Sequence, residues 1–506
     1  MNNQETGEKK QPTMRPWSGK EVFLCAVIVG LGLGLRVLAE ANYADVLIGD
    51  PAEQVEFTRN ISFDPRNLSL PISAEIIRHP FLLQYLIKIS FLTFRESALA
   101  ARLPSLLAGL LSIFLIFLLV RGPLGTVPAL LSALLLSFSQ FHIGWSRIVH
   151  QEMPMLASVI LSVYLFWKAL TTEKRWLVLL VGPSVALAFL AKETALFLLP
   201  VFFIYLLLTP SKRFWLKRKE VYLSLVLFLV LVGPYLWWTY KHPTPYPGYL
   251  GLTRFSKLPL DFYLLVSLGI RRLPAGDYAR LSLWSWPAVY WPVGIILLTG
   301  SAASIIYYLF RRRHDFITLM VIFFLFVMGF FFFLIPYKGT SEYWWLSITL
   351  IPATVLTAGL LSNLARTHIV LGLAVLLLFV FLGFQALNYS LIKAEDFPST
   401  YPLTVADYDF ELAQYYLEKG EVDKAVAELQ RGLSRFPNEI RIHNLLGGCY
   451  FKKGLYHEAR RHWETVLGID PENQVAKKAV DFLNSRNLGT ETRSGGLPIG
   501  EKNESH

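Results

Sequence analysis

The run VYLSLVLFLVLVGPYLWW (221–238) contains no charged side chain, and HIVLGLAVLLLFVFLGF (368–384) is nearly as apolar. A stretch of about 18 apolar residues or more is long enough to cross a bilayer as a helix. Runs of this kind recur along the chain, which is 54% hydrophobic and 17% charged, whereas soluble domains carry about 25% charged residues. These runs predict an all-α, polytopic membrane helix bundle. They lie near 21–39, 99–120, 125–140, 153–170, 176–191, 194–209, 221–239, 287–310, 316–336, 343–363 and 368–389, about 11 spans in all.

The formal charge of +11 raises the question of nucleic acid, but the basic residues sit in short loops between apolar runs. That placement follows the positive-inside bias, and no nucleic-acid partner is predicted. With the N-terminal tail 1–20 in the cytoplasm, Lys9, Lys10, Arg15 and Lys20 fall on the same side as KALTTEKRW, SKRFWLKRKE, RRRHD, Arg121 and Arg366. The opposite side receives 45–97, 141–152, Ala191 to Thr194, 241–285, 337–342 and everything after 390. Asp50, Glu152, Lys192 and Glu342 then share one extracytoplasmic face, although they are far apart in sequence. Charged groups at a membrane boundary are costly and are functional candidates by default; the alternative is four ordinary loop-end charges. The first run is expected to be a retained span, not a signal peptide. Cys25 and Cys449 do not form a disulfide framework.

After Tyr389 the composition becomes charged and helical. Leu412, Tyr416, Gly420, Ala425 and Pro437 recur 34 residues later as Leu446, Tyr450, Gly454, Ala459 and Pro471. This pattern resembles two tetratricopeptide repeats, predicting a small α-helical domain over 405–486 followed by a flexible tail, 487–506. Two repeats are fewer than such arrays usually need, and QVAKKAVDFLN is expected to cap them. The repeats read either as a site for a protein partner or as a stabilising appendage.

Residues 48–104 contain GDPAEQVEFTRNI, then RHPFLLQYLIK, then ALAARLPSLLAGLLSI. This order resembles the opening of polytopic GT-C glycosyltransferases that use polyprenyl-phosphate sugars, in the branch of the protein O-mannosyltransferases and lipid A aminoarabinose transferases. The matching elements are Asp50, His79-Pro80 and Ala101-Arg102-Leu103-Pro104. GWSRIVHQEMPMLASVILSVYLF resembles the family segment with a second acidic residue, here Glu152, and LAKETALFLLPVFFIYLL its lysine-containing span entry, here Lys192. The resemblance spans roughly 20–365, within a transmembrane domain at 21–390. Three positions depart from the pattern. Glu152 replaces the usual Asp. Pro51 follows Asp50 where the family often has Glu, so Glu53 is a candidate for part of that role. Glu342 stands where relatives commonly carry Arg.

The resemblance implies a donor sugar carried on a polyprenyl phosphate and an extracytoplasmic acceptor, either a protein hydroxyl or a glycolipid or glycan. Asp50 is the candidate general base of an inverting displacement. The departing phosphate needs fixed positive charge, for which Arg78, His79, Lys192, Arg271 and Arg272 are the candidates. Glu152 is read as a catalytic carboxylate that orients the acceptor or helps to hold a divalent ion, although no spacing defines a metal cage. Each residue also has a structural reading: a turn at Asp50-Pro51, a helix cap at His79, snorkelling at Arg102, Lys192 and Glu193. LPISAEIIRHPFLLQYLIKISFL is amphipathic enough to lie on the membrane surface among lipids, and KHPTPYPGYLGLTRF is a candidate gate. Two other functions stay open, a transporter or flippase of lipid-linked glycans and a membrane scaffold that displays the repeats.

Overall fold

The structure, a computed structural model, describes residues 17–42, 54, 55, 57–59, 61, 80–241, 293–310, 315–338, 347–391 and 407–488. They form two compact units, one within 17–391 and one over 407–488. All regular structure among the described residues is helical.

The first unit comprises α1 (Gly19–Asn42), α2 (Leu82–Phe94), α3 (Ala98–Leu124), α4 (Thr126–Phe138), the short α5 (Gln140–Trp145), α6 (Glu152–Thr172) and α7 (Arg175–Ala191). A 3-10 turn, Glu193–Phe197, leads into α8 (Leu198–Leu208), and a 3-10 segment, Pro210–Lys217, into α9 (Lys219–Lys241). After residues 242–292 come α10 (Val293–Phe310), α11 (Asp315–Lys338), α12 (Leu350–Thr367) and α13 (Ile369–Leu391). Each expected apolar run thus contains a helix. Among the described residues, six helices are long and apolar enough to cross a membrane, and a seventh joins them if the pair Glu193–Leu208 and Pro210–Lys217, bent by 119°, is one span. Shorter apolar helices fill the remaining runs. The chain is an integral membrane protein.

Sequence decides which helices lie inside. α6 and α12 are the most enclosed, with 78% and 72% of their apolar windows buried, against 17% for α9 and α13. α12 reads LIPATVLTAGLLSNLART, and its small residues let neighbouring helices approach. Ser304 donates to the Leu356 carbonyl at 2.9 Å, and a Cβ on Gly300 would meet Thr357 at 2.6 Å. Closer still is the α7–α9 crossing, where a Cβ on Gly182 would fall 1.8 Å from the Ser224 carbonyl oxygen. Ser18 and Glu21 form a capping box at the start of α1, the Ser18 amide donating to Glu21 at 2.9 Å. Arg121, near the end of α3, bonds the same carboxylate at 2.9 Å, tying the two helix ends together.

In the second unit, α14 (Asp407–Glu418), α15 (Val422–Arg435), α16 (Ile440–Lys452), α17 (Tyr456–Ile469) and α18 (Gln474–Ser485) pack in succession. Residues 34 apart occupy equivalent places. Leu412 and Leu446 are fully buried, as are Ala425 and Ala459. Gly420 and Gly454 turn the chain at φ 77° and 75°, a left-handed conformation that glycine adopts without cost. Asn473 caps α18, accepting from the Ala476 amide at 3.2 Å.

Candidate active site

Three breaks in helix continuity bring the central side chains together. Glu152 is the first residue of α6. Lys192 is the extended residue (φ −159°, ψ 133°) between α7 and the 3-10 turn that follows it. Ser347 lies just before α12. The Lys192 ammonium pairs with Glu152 Oε1, and the Ser347 hydroxyl donates to Glu152 Oε2. Glu152 and Lys192 are 0% and 1% exposed. A buried ion pair endures only where further hydrogen bonds offset desolvation. Ser347 supplies one, and the N-terminus of α6 presents its positive dipole end to the carboxylate.

Unspent hydrogen-bonding capacity lies next to this pair along the chain. The buried Gln151 side chain has no partner for Nε2, and neither has Oγ1 of Thr194. Arg102, Arg147 and His150 are also buried, and Ser105 Oγ bonds the His150 carbonyl at 3.1 Å, tying α3 to the entry of α6. Phe57 reaches the same end of the bundle through an aromatic ladder. Phe57 stacks on Phe81 at 5.4 Å, Phe81 meets Tyr235 at 5.6 Å, and Tyr235 meets Phe189 at 5.9 Å. Phe189 lies in the last turn of α7, directly before Lys192.

Of the predicted site residues, the structure brings Glu152 and Lys192 into direct contact. Asp50, Glu53, Arg78, His79, Arg271, Arg272 and Glu342 lie outside the described residues, as do the candidate gate and the tail 489–506. Lys192, expected as a cation for phosphate, is already matched with a carboxylate. Both oxygens of Glu152 are engaged by donors, a poor arrangement for a metal ligand, and among the described residues no three His, Cys, Asp or Glu side chains group to hold a metal.

Besides Ser347, two further residues went unremarked in the sequence. Arg36, on α1, is fully buried. It bonds Ser146 Oγ at 3.1 Å, the Gly32 carbonyl at 2.7 Å and His142 Nδ1 at 2.5 Å. The guanidinium can only donate, so His142 Nδ1 accepts and its Nε2–H faces Ser112 Oγ at 2.7 Å. The available signal was an arginine inside an apolar run, which is rare without a role.

The model of the dolichyl-phosphate-mannose-protein mannosyltransferase family matches residues 78–238, a stretch containing both Glu152 and Lys192. The solved structure of ArnT from Cupriavidus metallidurans, bound to undecaprenyl phosphate, superposes with a TM-score of 0.51 at 14% identity, over 83% of this chain and 76% of that one. The fold is that of the GT-C glycosyltransferases. A second GT-C structure, the archaeal oligosaccharyltransferase AglB from Archaeoglobus fulgidus in complex with an inhibitory peptide and a dolichol-phosphate, matches with a TM-score of 0.51 at 11% identity. It covers 76% of this chain and 60% of that one. An uncharacterized protein of Aquifex aeolicus (strain VF5) is 32% identical over 165 residues, 32% of each chain. That match spans about a third of the curated relative's length. Within this GT-C bundle the Glu152–Lys192 pair marks one end of the helices.

Proposed function

We propose that the chain is a membrane glycosyltransferase that moves a sugar from a polyprenyl-phosphate donor to an extracytoplasmic acceptor, a protein hydroxyl or a glycolipid or glycan. The observation that carries this reading is the buried Glu152–Lys192–Ser347 cluster, at the meeting of three helix breaks in a GT-C fold. Asp50 takes the proton from the attacking hydroxyl or amine as that atom bonds to the anomeric carbon with inversion. The bond from that carbon to the phosphate oxygen breaks, and polyprenyl phosphate leaves with the electron pair. Arg78, His79, Arg271 and Arg272 stabilise the departing phosphate. Glu152, paired with Lys192, orients the acceptor, and the neighbours in the chain, Gln151 and Thr194, carry hydrogen-bonding atoms without partners. Glu53 and Glu342 bind substrate.

The activity is of the protein O-mannosyltransferase type, exercised in the cytoplasmic (inner) membrane with the N-terminus in the cytoplasm. The helices over 405–486 are two extracytoplasmic tetratricopeptide repeats that recruit the acceptor or a partner protein. The test supplies polyprenyl-phosphate sugars, labelled in the sugar, to membranes containing the protein. Label passing from the lipid phase into a protein or water-soluble product supports transfer. Label crossing to the other leaflet while still lipid-linked contradicts it and supports a flippase.

A further inference from the structure

At the end of the bundle away from Glu152, α6, α7, α8, the segment Pro210–Lys217 and α9 enclose a cavity of about 440 Å³. Phe166 and Leu170 line it from α6, about 21–27 Å beyond Glu152 at 1.5 Å per residue. Its walls are almost wholly aliphatic and aromatic, so they offer water few partners. The Ser224 hydroxyl, the one side-chain oxygen in the lining, accepts from the Gly182 amide at 2.7 Å. Trp215 differs. Its ring lines the cavity and is 2% exposed, yet its indole N–H has no acceptor. That N–H has essentially no accessible surface, so nothing occupying the cavity reaches it.

The rim is strongly basic. The two connectors at this end, 168–175 and 211–220, carry Lys168, Lys174, Arg175, Lys212, Arg213, Lys217, Arg218 and Lys219 against Glu173 and Glu220. Phe203 and Leu225 line the cavity and are exposed, so it opens on the outer surface of the helices. Basic rims over apolar pockets between membrane helices suit anionic lipid head groups.

We infer that this cavity binds one acyl chain of an acidic phospholipid, the phosphate held by the basic rim. A polyprenyl phosphate, which also has a chain and a phosphate, is the rival occupant that the test separates. The site is separate from the transfer chemistry at the other end of the bundle.

The test is native mass spectrometry of the full-length protein in neutral detergent, with phosphatidylglycerol, phosphatidylcholine or polyprenyl phosphate added at equal concentration. Wild type is expected to retain phosphatidylglycerol about fivefold better than phosphatidylcholine. Lys217→Gln/Lys219→Gln, which alters exposed side chains only, should remove that preference, and Ala169→Phe, which fills the cavity, should lower retention of phosphatidylglycerol about tenfold. Should the filled variant not fold, the charge variant decides. Equal retention of the two phospholipids by wild type, or unchanged preference in the charge variant, overturns the inference. So does polyprenyl phosphate being retained in place of phosphatidylglycerol. No arm measures sugar transfer, so failure here leaves the transferase reading intact.

Discussion

Glu152 and Lys192 are 40 residues apart, and Ser347 lies 195 residues beyond Glu152. Glu152 and Lys192 were legible in the sequence as charges near the ends of apolar runs, but Ser347 and the contact among the three were not, because no local spacing encodes a meeting of three helix ends. The pair is fully enclosed, so truncating one partner strands the other in low dielectric. Glu152→Gln is expected to cost about 3–5 kcal/mol of stability, read as a lowered unfolding temperature in detergent. Glu152→Gln/Lys192→Met removes both charges and should recover most of that loss while transfer stays abolished. Recovery of stability together with transfer would reduce the pair to a packing role. The Arg36–His142 contact was hidden for the same reason, since α1 and α5 are distant in the chain and neither residue belongs to a periodic pattern.

Whole elements were easier to read than their joints. The apolar runs, the break before Glu193 and the 34-residue recurrence in the tail all follow from composition and spacing. By contrast, α5 formed where a loop was expected, and SKRFWLKRKE, expected as a cytoplasmic loop, begins with a 3-10 segment starting at Pro210. That segment has Trp215 buried among α6–α9, a tertiary contact that local pattern does not announce. The α7–α9 joint gives a sharp expectation. Gly182→Leu places side-chain atoms where the Ser224 carbonyl already lies. It should destabilise the bundle by about 1–3 kcal/mol or more, measured as early loss of the monodisperse peak on heating. In the tail, burial pulls His462 down to about 4, with the nearby His443 and Arg461 adding to the effect. The unfolded chain takes up that proton near pH 6.5, the folded one only near 4, so stability is full above about pH 6.5 and falls as pH drops towards 4. Protection against hydrogen exchange over 440–469 in the intact protein, corrected for the pH dependence of intrinsic exchange, should therefore fall across this window, and His462→Gln should flatten the change.

At the scale of the molecule, hydrophobic runs and basic loops were enough to indicate a polytopic bundle, because lipid restricts what a chain of this composition can form. The order of short motifs from Asp50 to Lys192 pointed to the GT-C fold before any coordinates, whereas helix packing, the lipid-sized cavity and the closure of Lys192 onto Glu152 needed three dimensions. The central claim is that Asp50 serves as base for a lipid-borne sugar. Its most direct test is transfer of labelled sugar from polyprenyl-phosphate donors in membranes holding wild type or Asp50→Asn at matched expression. Loss of about 100-fold or more in the variant is the expected result, in keeping with removal of a general base. Equal transfer by the two proteins would contradict the assignment.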